Sequence, residues 1–132
     1  MLAYLDASAV TKLVIDEPES EPLRAFFVTA VTDAAMSVVA EIETRRAVRR
    51  AGGPERDAQR LEDVLSSIDA IELDQTIRWR AALVEPSELR SLDAIHVASA
   101  LSLGDELGAF VCYDRRLSDA AAALGLPVLA PA

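Results

Sequence analysis

Asp6, Glu41, Asp93 and Asp114 are the residues from which chemistry is most readily built, because the order of elements carries three of them toward one edge of a sheet, and Asp93 too when its helix is oriented as expected. In open α/β sheets the functional crevice lies beyond the carboxyl ends of the strands. Asp6 ends an apolar strand over residues 2–6, and Asp114 follows one over 109–113. Glu41 lies within a turn of the end of a strand over 34–38, and Asp93 in the first turn of a helix that starts at 91. Each alone has a plainer reading as a capping acid at a helix N-terminus, where free N–H groups and the dipole favour negative charge. Asp6 and Asp93 stand in apolar surroundings, which argues against free solvation. Carboxylates gathered together repel and raise one another's pKa unless cations neutralise them. A divalent ion is the natural counter-ion, and all-oxygen ligation suits Mg²⁺ or Mn²⁺ and not zinc. Such ions activate water and stabilise the leaving oxygen in phosphodiester cleavage, which needs no histidine base and no nucleophilic side chain.

The elements that must position these acids alternate along the chain. A strand over 2–6 is followed by a helix over 8–15, a break at Asp16-Glu17-Pro18 and an amphipathic helix over 19–30 carrying Leu23, Phe26 and Phe27 on one side. The strand over 34–38 leads to a helix over 40–51 that stops at Gly52-Gly53. Pro54 suits the first turn of a second helix running to 68, and the two form a hairpin. A strand over 70–73, a helix over 75–84, a break at Glu85-Pro86-Ser87 and a helix over 91–103 ended by Gly104 come next. The strand over 109–113, a helix over 115–124 closed by Gly125 and a short edge strand over 127–129 complete the series. This alternation predicts right-handed crossovers and a three-layer α/β/α sandwich with a mostly parallel sheet of about five strands, in one domain over residues 1–132.

A chain of 132 residues buries roughly two thirds of its unfolded surface. Its 52% apolar and 27% charged residues describe a packed protein and not a disordered one. The sequence shows no membrane-length apolar span and no signal-peptide pattern, and Cys112 is its only cysteine, so a cytoplasmic protein without disulfides is expected. A net charge of −9 argues against holding nucleic acid by bulk electrostatics. Distribution softens this, since Lys12 is the only lysine and Arg45, Arg46, Arg49, Arg50, Arg56 and Arg60 cluster in one stretch.

Four segments carry a family resemblance: Asp6-Ala7-Ser8, Ser37-Val38-Val39-Ala40-Glu41, Leu92-Asp93-Ala94-Ile95-His96-Val97-Ala98 and Phe110-Val111-Cys112-Tyr113-Asp114-Arg115-Arg116-Leu117. Taken in this order over the whole chain, they resemble the PIN domain, and more narrowly the VapC-type toxins of bacterial toxin–antitoxin pairs. The resemblance implies a Mg²⁺- or Mn²⁺-dependent endoribonuclease, homodimeric and held inactive by a co-encoded antitoxin that inserts a segment into the active-site groove. By position, Asp6, Glu41, Asp93 and Asp114 match the family's metal-binding acids, and Ser8 a hydroxyl that supports the first acid. The family often carries Thr or Ser two residues before the last acid. Here Cys112, a weaker donor, holds that position as support for Asp114.

Other residues have plainer readings. His96 packs or hydrogen-bonds in the interior, Cys112 is an inert buried thiol, and Trp79 is a core or dimer anchor. Arg45, Arg46 and Arg49 follow Glu41 and offer contacts to RNA or antitoxin, although Arg45 is also spaced for an ion pair with Glu41. Glu43 falls off the face of Glu41 and is set aside as a ligand, and Asp119 reads as a solvent-facing helix residue. Two rivals share the architecture. A receiver-like phosphoacceptor also gathers acids at strand ends, but needs a lysine at the end of a late strand, and Lys12 lies in the first helix. A catalytically inactive PIN scaffold that only binds protein is the other.

Overall fold

The computed structural model describes residues 1–52 and 57–132, and five of their segments form one parallel sheet in the order β3-β2-β1-β4-β5. β1 (Leu2–Leu5) is central between β2 (Asp33–Ser37) and β4 (Leu107–Val111), with β3 (Asp69–Ile71) and β5 (Val128–Leu129) at the edges. Every pairing is parallel. The apolar runs that read as strands are those a doubly covered parallel sheet requires.

Side chains of a strand alternate between faces, and β1 shows this directly. Ala3 and Leu5 join a core cluster with α1 (Ala7–Val14), α2 (Ser20–Ala30), α3 (Val38–Arg50) and α4 (Ala58–Ser66). Tyr4 joins the opposite cluster with α6 (Ser91–Leu101) and α7 (Arg115–Ala123). α5 (Gln75–Leu83) packs on α6. The three layers expected from the sequence are present, with element ends within a few residues of those expected.

The differences have local causes. α3 starts at Val38 because Ser37 caps it, its hydroxyl accepting from the Val39 N–H at 3.3 Å. A short 3₁₀ turn, Gly104–Glu106, follows α6, and Gly104 supplies the positive φ of 62° that ends the helix. Gly53, expected in the stop of the first hairpin helix, and Pro54 and Arg56, expected at the start of the second, lie outside the described residues. α3 and α4 are joined across by Arg45, whose Nη1 donates to Glu62 Oε1 at 2.6 Å. Trp79 is 67% exposed on α5, so it is not a core residue; Ile77 fills the inward position instead. Among the described residues no helix is long and apolar enough to cross a membrane.

Candidate active site

The order of the strands reverses between β1 and β4, since the chain proceeds from β1 outward to β2 and from β4 outward to β5 on the other side. That switch point is where open α/β sheets bind ligands, and Asp6 and Asp114 are the residues that leave it. Asp6 caps α1: its Oδ1 accepts from the Ala9 N–H at 3.1 Å and from the Ser8 hydroxyl at 2.6 Å. Ser8 Oγ in turn accepts from the Tyr113 N–H at 3.1 Å, tying the start of α1 to the loop after β4. Asp6 is only 4% exposed, and burial pushes its carboxyl up against the opposing hydrogen bond from Ser8 and the influence of His96.

Cys112 corrects the expectation drawn from its position. Its Sγ lies 3.2 Å from Asp6 Oδ2 and 3.4 Å from the Asp114 carbonyl oxygen, so the thiol supports the carboxylate of Asp6 and only the backbone of Asp114. Burial first, and the negative charge of Asp6 second, push this thiol far up, which keeps it protonated as the donor.

Asp114 caps α7, its Oδ1 accepting from the Leu117 N–H at 2.9 Å. Asp93 sits half-buried in the first turn of α6. Its carboxyl is pushed up by burial and next by the charge of Asp114; His96 works the other way, and Asp6 and Glu43 add to the rise. Three acids from other elements thus act on Asp93: Asp114, Asp6 and Glu43. Among the described residues, none of Asp6, Asp93 and Asp114 has an ion-pair partner.

Of the two acids on α3, Glu43 is the one that acts on Asp93, and Glu41 pairs with Arg45. Glu41 Oε1 accepts from Arg45 Nη2 at 3.3 Å, and the same guanidinium is held by Glu62 at 2.6 Å, on the side that faces α4. Glu43 Oε1 lies 2.8 Å from His96 Nε2 and lines a cleft with Ser8 and Lys12. Two residues along a helix project about 200° apart, so α3 can turn only one of the two toward the rim. The buried stripe of α3, Ala40, Thr44 and Val48, lies between them, with Glu41 on one flank and Glu43 on the other. In the sequence the one hint was at i+4, where Glu41 meets Arg45 and Glu43 meets Ala47.

The arginines divide in the same way. Arg45 is occupied by Glu41 and Glu62, whereas Arg46 and Arg50 line a groove with Glu43 and Leu92. Arg49 is exposed on α3. Arg90, Arg115 and Arg116, which the motifs do not single out as contacts, line a cleft of about 270 Å³ together with Asp93 and Asp114. Two roomier hollows lie elsewhere, one bordered by Leu73, Ala82 and Ile95 and one by Pro86, Leu89 and Ala123, and neither holds any of the four clustered acids. Lys12, on α1, is held by Glu17 at 2.5 Å and Glu19 at 3.2 Å.

A carboxylate set of this kind, without thiolate or multiple imidazole donors, has the chemistry of a hard-cation site. Among the described residues no three acid, imidazole or thiol groups already stand at coordination spacing, so the acids share a rim and a field and do not form a finished cage.

An open parallel sheet with acids at its switch point defines the class, and comparison gives the family. The family model described as PIN domain matches residues 3–123, and the chain belongs to the PIN-domain family. It is 41% identical to Ribonuclease VapC46 of Mycobacterium tuberculosis over 97% of this chain and 96% of that protein. It is 42% identical to Ribonuclease VapC35 of the same species over 98% and 97%. Among solved structures, the toxin–antitoxin complex from Klebsiella pneumoniae superposes with a TM-score of 0.74 at 21% identity, covering 98% of both chains. Mycobacterium tuberculosis VapC20, titled a Sarcin-Ricin loop cleaving toxin, also gives 0.74 at 14% identity and 98% coverage of both chains. Those two likenesses concern the fold.

Proposed function

We propose that this chain is an endoribonuclease, the toxin of a toxin–antitoxin pair, acting at the rim formed by Asp6, Glu43, Asp93 and Asp114. The observation that carries it is the cleft that Asp93 and Asp114 line together beside the switch point of the sheet, with the carboxyl of Asp93 pushed up by burial first and by Asp114 next. The names of the full-length relatives, which are ribonucleases, support the substrate class.

Mg²⁺ or Mn²⁺ held by these carboxylates would supply a water nucleophile near neutral pH and charge stabilisation at the leaving oxygen. The chain's own residues do the positioning. Ser8, the Ala9 N–H and Cys112 hold both oxygens of Asp6 in place. The Leu117 N–H fixes one oxygen of Asp114 and leaves the other for a ligand. Arg90, Arg115 and Arg116, beside Asp93 and Asp114, are placed to take the RNA phosphates, with Arg46 and Arg50 beyond Glu43. This local cation supply reconciles a nucleic-acid substrate with a net charge of −9. Titles of structures with this fold name toxin–antitoxin and VapBC complexes, which supports an antitoxin partner for this chain. A homodimer and a cytoplasmic location complete the reading.

The receiver-like alternative expects strand order 2-1-3-4-5, against β3-β2-β1-β4-β5 here, and the only lysine is engaged by Glu17 and Glu19. The test is RNA cleavage by the purified chain, freed of antitoxin, with Mn²⁺. Cleavage that a chelator abolishes is expected, and an RNA pool left intact under those conditions rejects the reading in favour of an inactive scaffold.

A further inference from the structure

His96 is a buried titratable side chain at the rim that the cleavage chemistry does not itself use. It is 1% exposed, and both ring nitrogens are engaged: Nδ1 lies 2.7 Å from Tyr4 Oη, and Nε2 lies 2.8 Å from Glu43 Oε1. Tyr4 is fully buried, stacked on Phe110 at 5.4 Å between ring centres, and its oxygen accepts from the Ser37 N–H at 3.1 Å. A line of hydrogen bonds therefore runs from the N-cap of α3, through β1 and α6, back to an acid one and a half turns along α3.

The direction of this line follows from counting hydrogens. A phenol has one hydrogen, and a neutral imidazole has one N–H and one lone pair. The Ser37 N–H takes one lone pair of the Tyr4 oxygen, and with the phenol hydrogen directed at Nδ1 that nitrogen is the acceptor. The imidazole N–H falls on Nε2 and donates to Glu43. The opposite tautomer would set a nitrogen lone pair against a carboxylate oxygen at 2.8 Å, a repulsive contact with no counterpart elsewhere in the line. Orientation of an acid by a ring N–H, the ring itself fixed by a partner behind it, is how outer groups hold metal-binding side chains in place.

We infer that His96 is a positioning residue, locked by Tyr4 as the Nε2–H tautomer so that it clamps one oxygen of Glu43 and presents the other to the rim. This rests on the ribonuclease reading above and deepens it, since it assigns the acid of α3 and the residue that aims it. It also accounts for the burial of the polar pair Tyr4 and His96 in a core built chiefly of Ala, Val and Leu.

The test combines a spectroscopic reading of the metal-free wild type with two substitutions at 96. Ring ¹⁵N shifts should show the hydrogen on Nε2; a hydrogen on Nδ1 overturns the lock. His96→Gln keeps an N–H near the Nε2 position, and His96→Leu removes it. Mn²⁺ affinity measured by isothermal titration should fall on the order of 10- to 100-fold in His96→Leu and recover most of that loss in His96→Gln. RNA cleavage should follow in kcat, with KM within about threefold of wild type, because His96 is buried away from the strand. Equal Mn²⁺ affinity and kcat in wild type and His96→Leu overturns the positioning role alone. A wild type that takes up no Mn²⁺ overturns the nuclease reading itself, and the role of His96 with it. A His96→Leu chain that unfolds leaves the decision to His96→Gln and Tyr4→Phe. Tyr4→Phe should show the hydrogen shared with Nδ1 and a matching loss of Mn²⁺ affinity, and wild-type values in it overturn the lock.

Discussion

Cys112 Sγ stands 3.2 Å from Asp6 Oδ2, so a thiol that leaves β4 supports the acid that leaves β1, and not the acid two residues after it. The contact closes the seam between the two central strands beside the Asp6 N–H, which donates to the Val111 carbonyl at 3.2 Å.

Replacing that thiol separates its donor role from its packing. Cys112→Ser supplies a stronger donor at the same place and should retain Mn²⁺-dependent cleavage at or above the wild-type rate. Cys112→Val fills the core but leaves a buried carboxylate oxygen without its donor, which costs about 1–3 kcal/mol. Urea unfolding of the two variants checks this, and a Val variant as stable and active as the Ser variant contradicts it.

Glu41 and Glu43 should differ sharply in function. Glu43→Gln removes a charge from the rim and should lower kcat by at least about 100-fold, the scale of losing one stabilising electrostatic group. Glu41→Gln breaks only an exposed i,i+4 pair with Arg45, worth about 0.3–0.5 kcal/mol, and should cleave RNA as wild type does. Single-turnover cleavage decides between them, and a reversed order would return Glu41 to the site.

The arginines yield a salt-dependence prediction. Arg116→Ala and Arg90→Ala should each raise KM and reduce the slope of log affinity against log salt by about 1 for each RNA phosphate that the variant no longer neutralises. Arg45→Ala, whose guanidinium is taken by Glu62 and Glu41, should leave that slope alone.

Asp6 and Asp93 both have carboxyls raised by burial, Asp93 also by Asp114. A raised folded-state pKa means the folded protein holds these protons to higher pH than the unfolded chain. The associated stability is full below the unfolded carboxylate value and is lost as pH climbs through the folded one. In chelator, the stability of wild type relative to Asp93→Asn should therefore fall as pH rises above about 4. Urea titrations across that range measure the difference; a wild type that gains on the variant with rising pH would contradict a repelled Asp93. Mn²⁺ should cancel the decline, because it favours the charged forms.

The fold was nearly all legible in the sequence because each strand is a short apolar run punctuated by Gly, Pro or an acid. Asp6, Asp93 and Asp114 were legible for the same reason, each sitting at a boundary where the backbone itself fixes direction. Glu43 was not. On α3 the apolar stripe gives an inward face but no handedness, and Glu41 and Glu43 flank it symmetrically; only the packing of α3 on α1 and the approach of His96 from α6 break the tie. The partner of Cys112 was hidden too, because it depends on the register of β1 against β4, in which Leu5 pairs with Val111. The place of Arg90, Arg115 and Arg116 beside Asp93 and Asp114 was not legible because charge density in the sequence peaks on α3, whereas these three stand at the starts of α6 and α7.

The most direct test is Mn²⁺-dependent thermal stabilisation of the metal-free chain, compared with Asp93→Asn. One cation site shared by Asp6, Glu43, Asp93 and Asp114 requires wild type to gain about 2.7 kcal/mol at a hundredfold excess over the dissociation constant, and the variant to gain little at the same Mn²⁺. Equal stabilisation of both proteins, or none of either, would contradict a shared site.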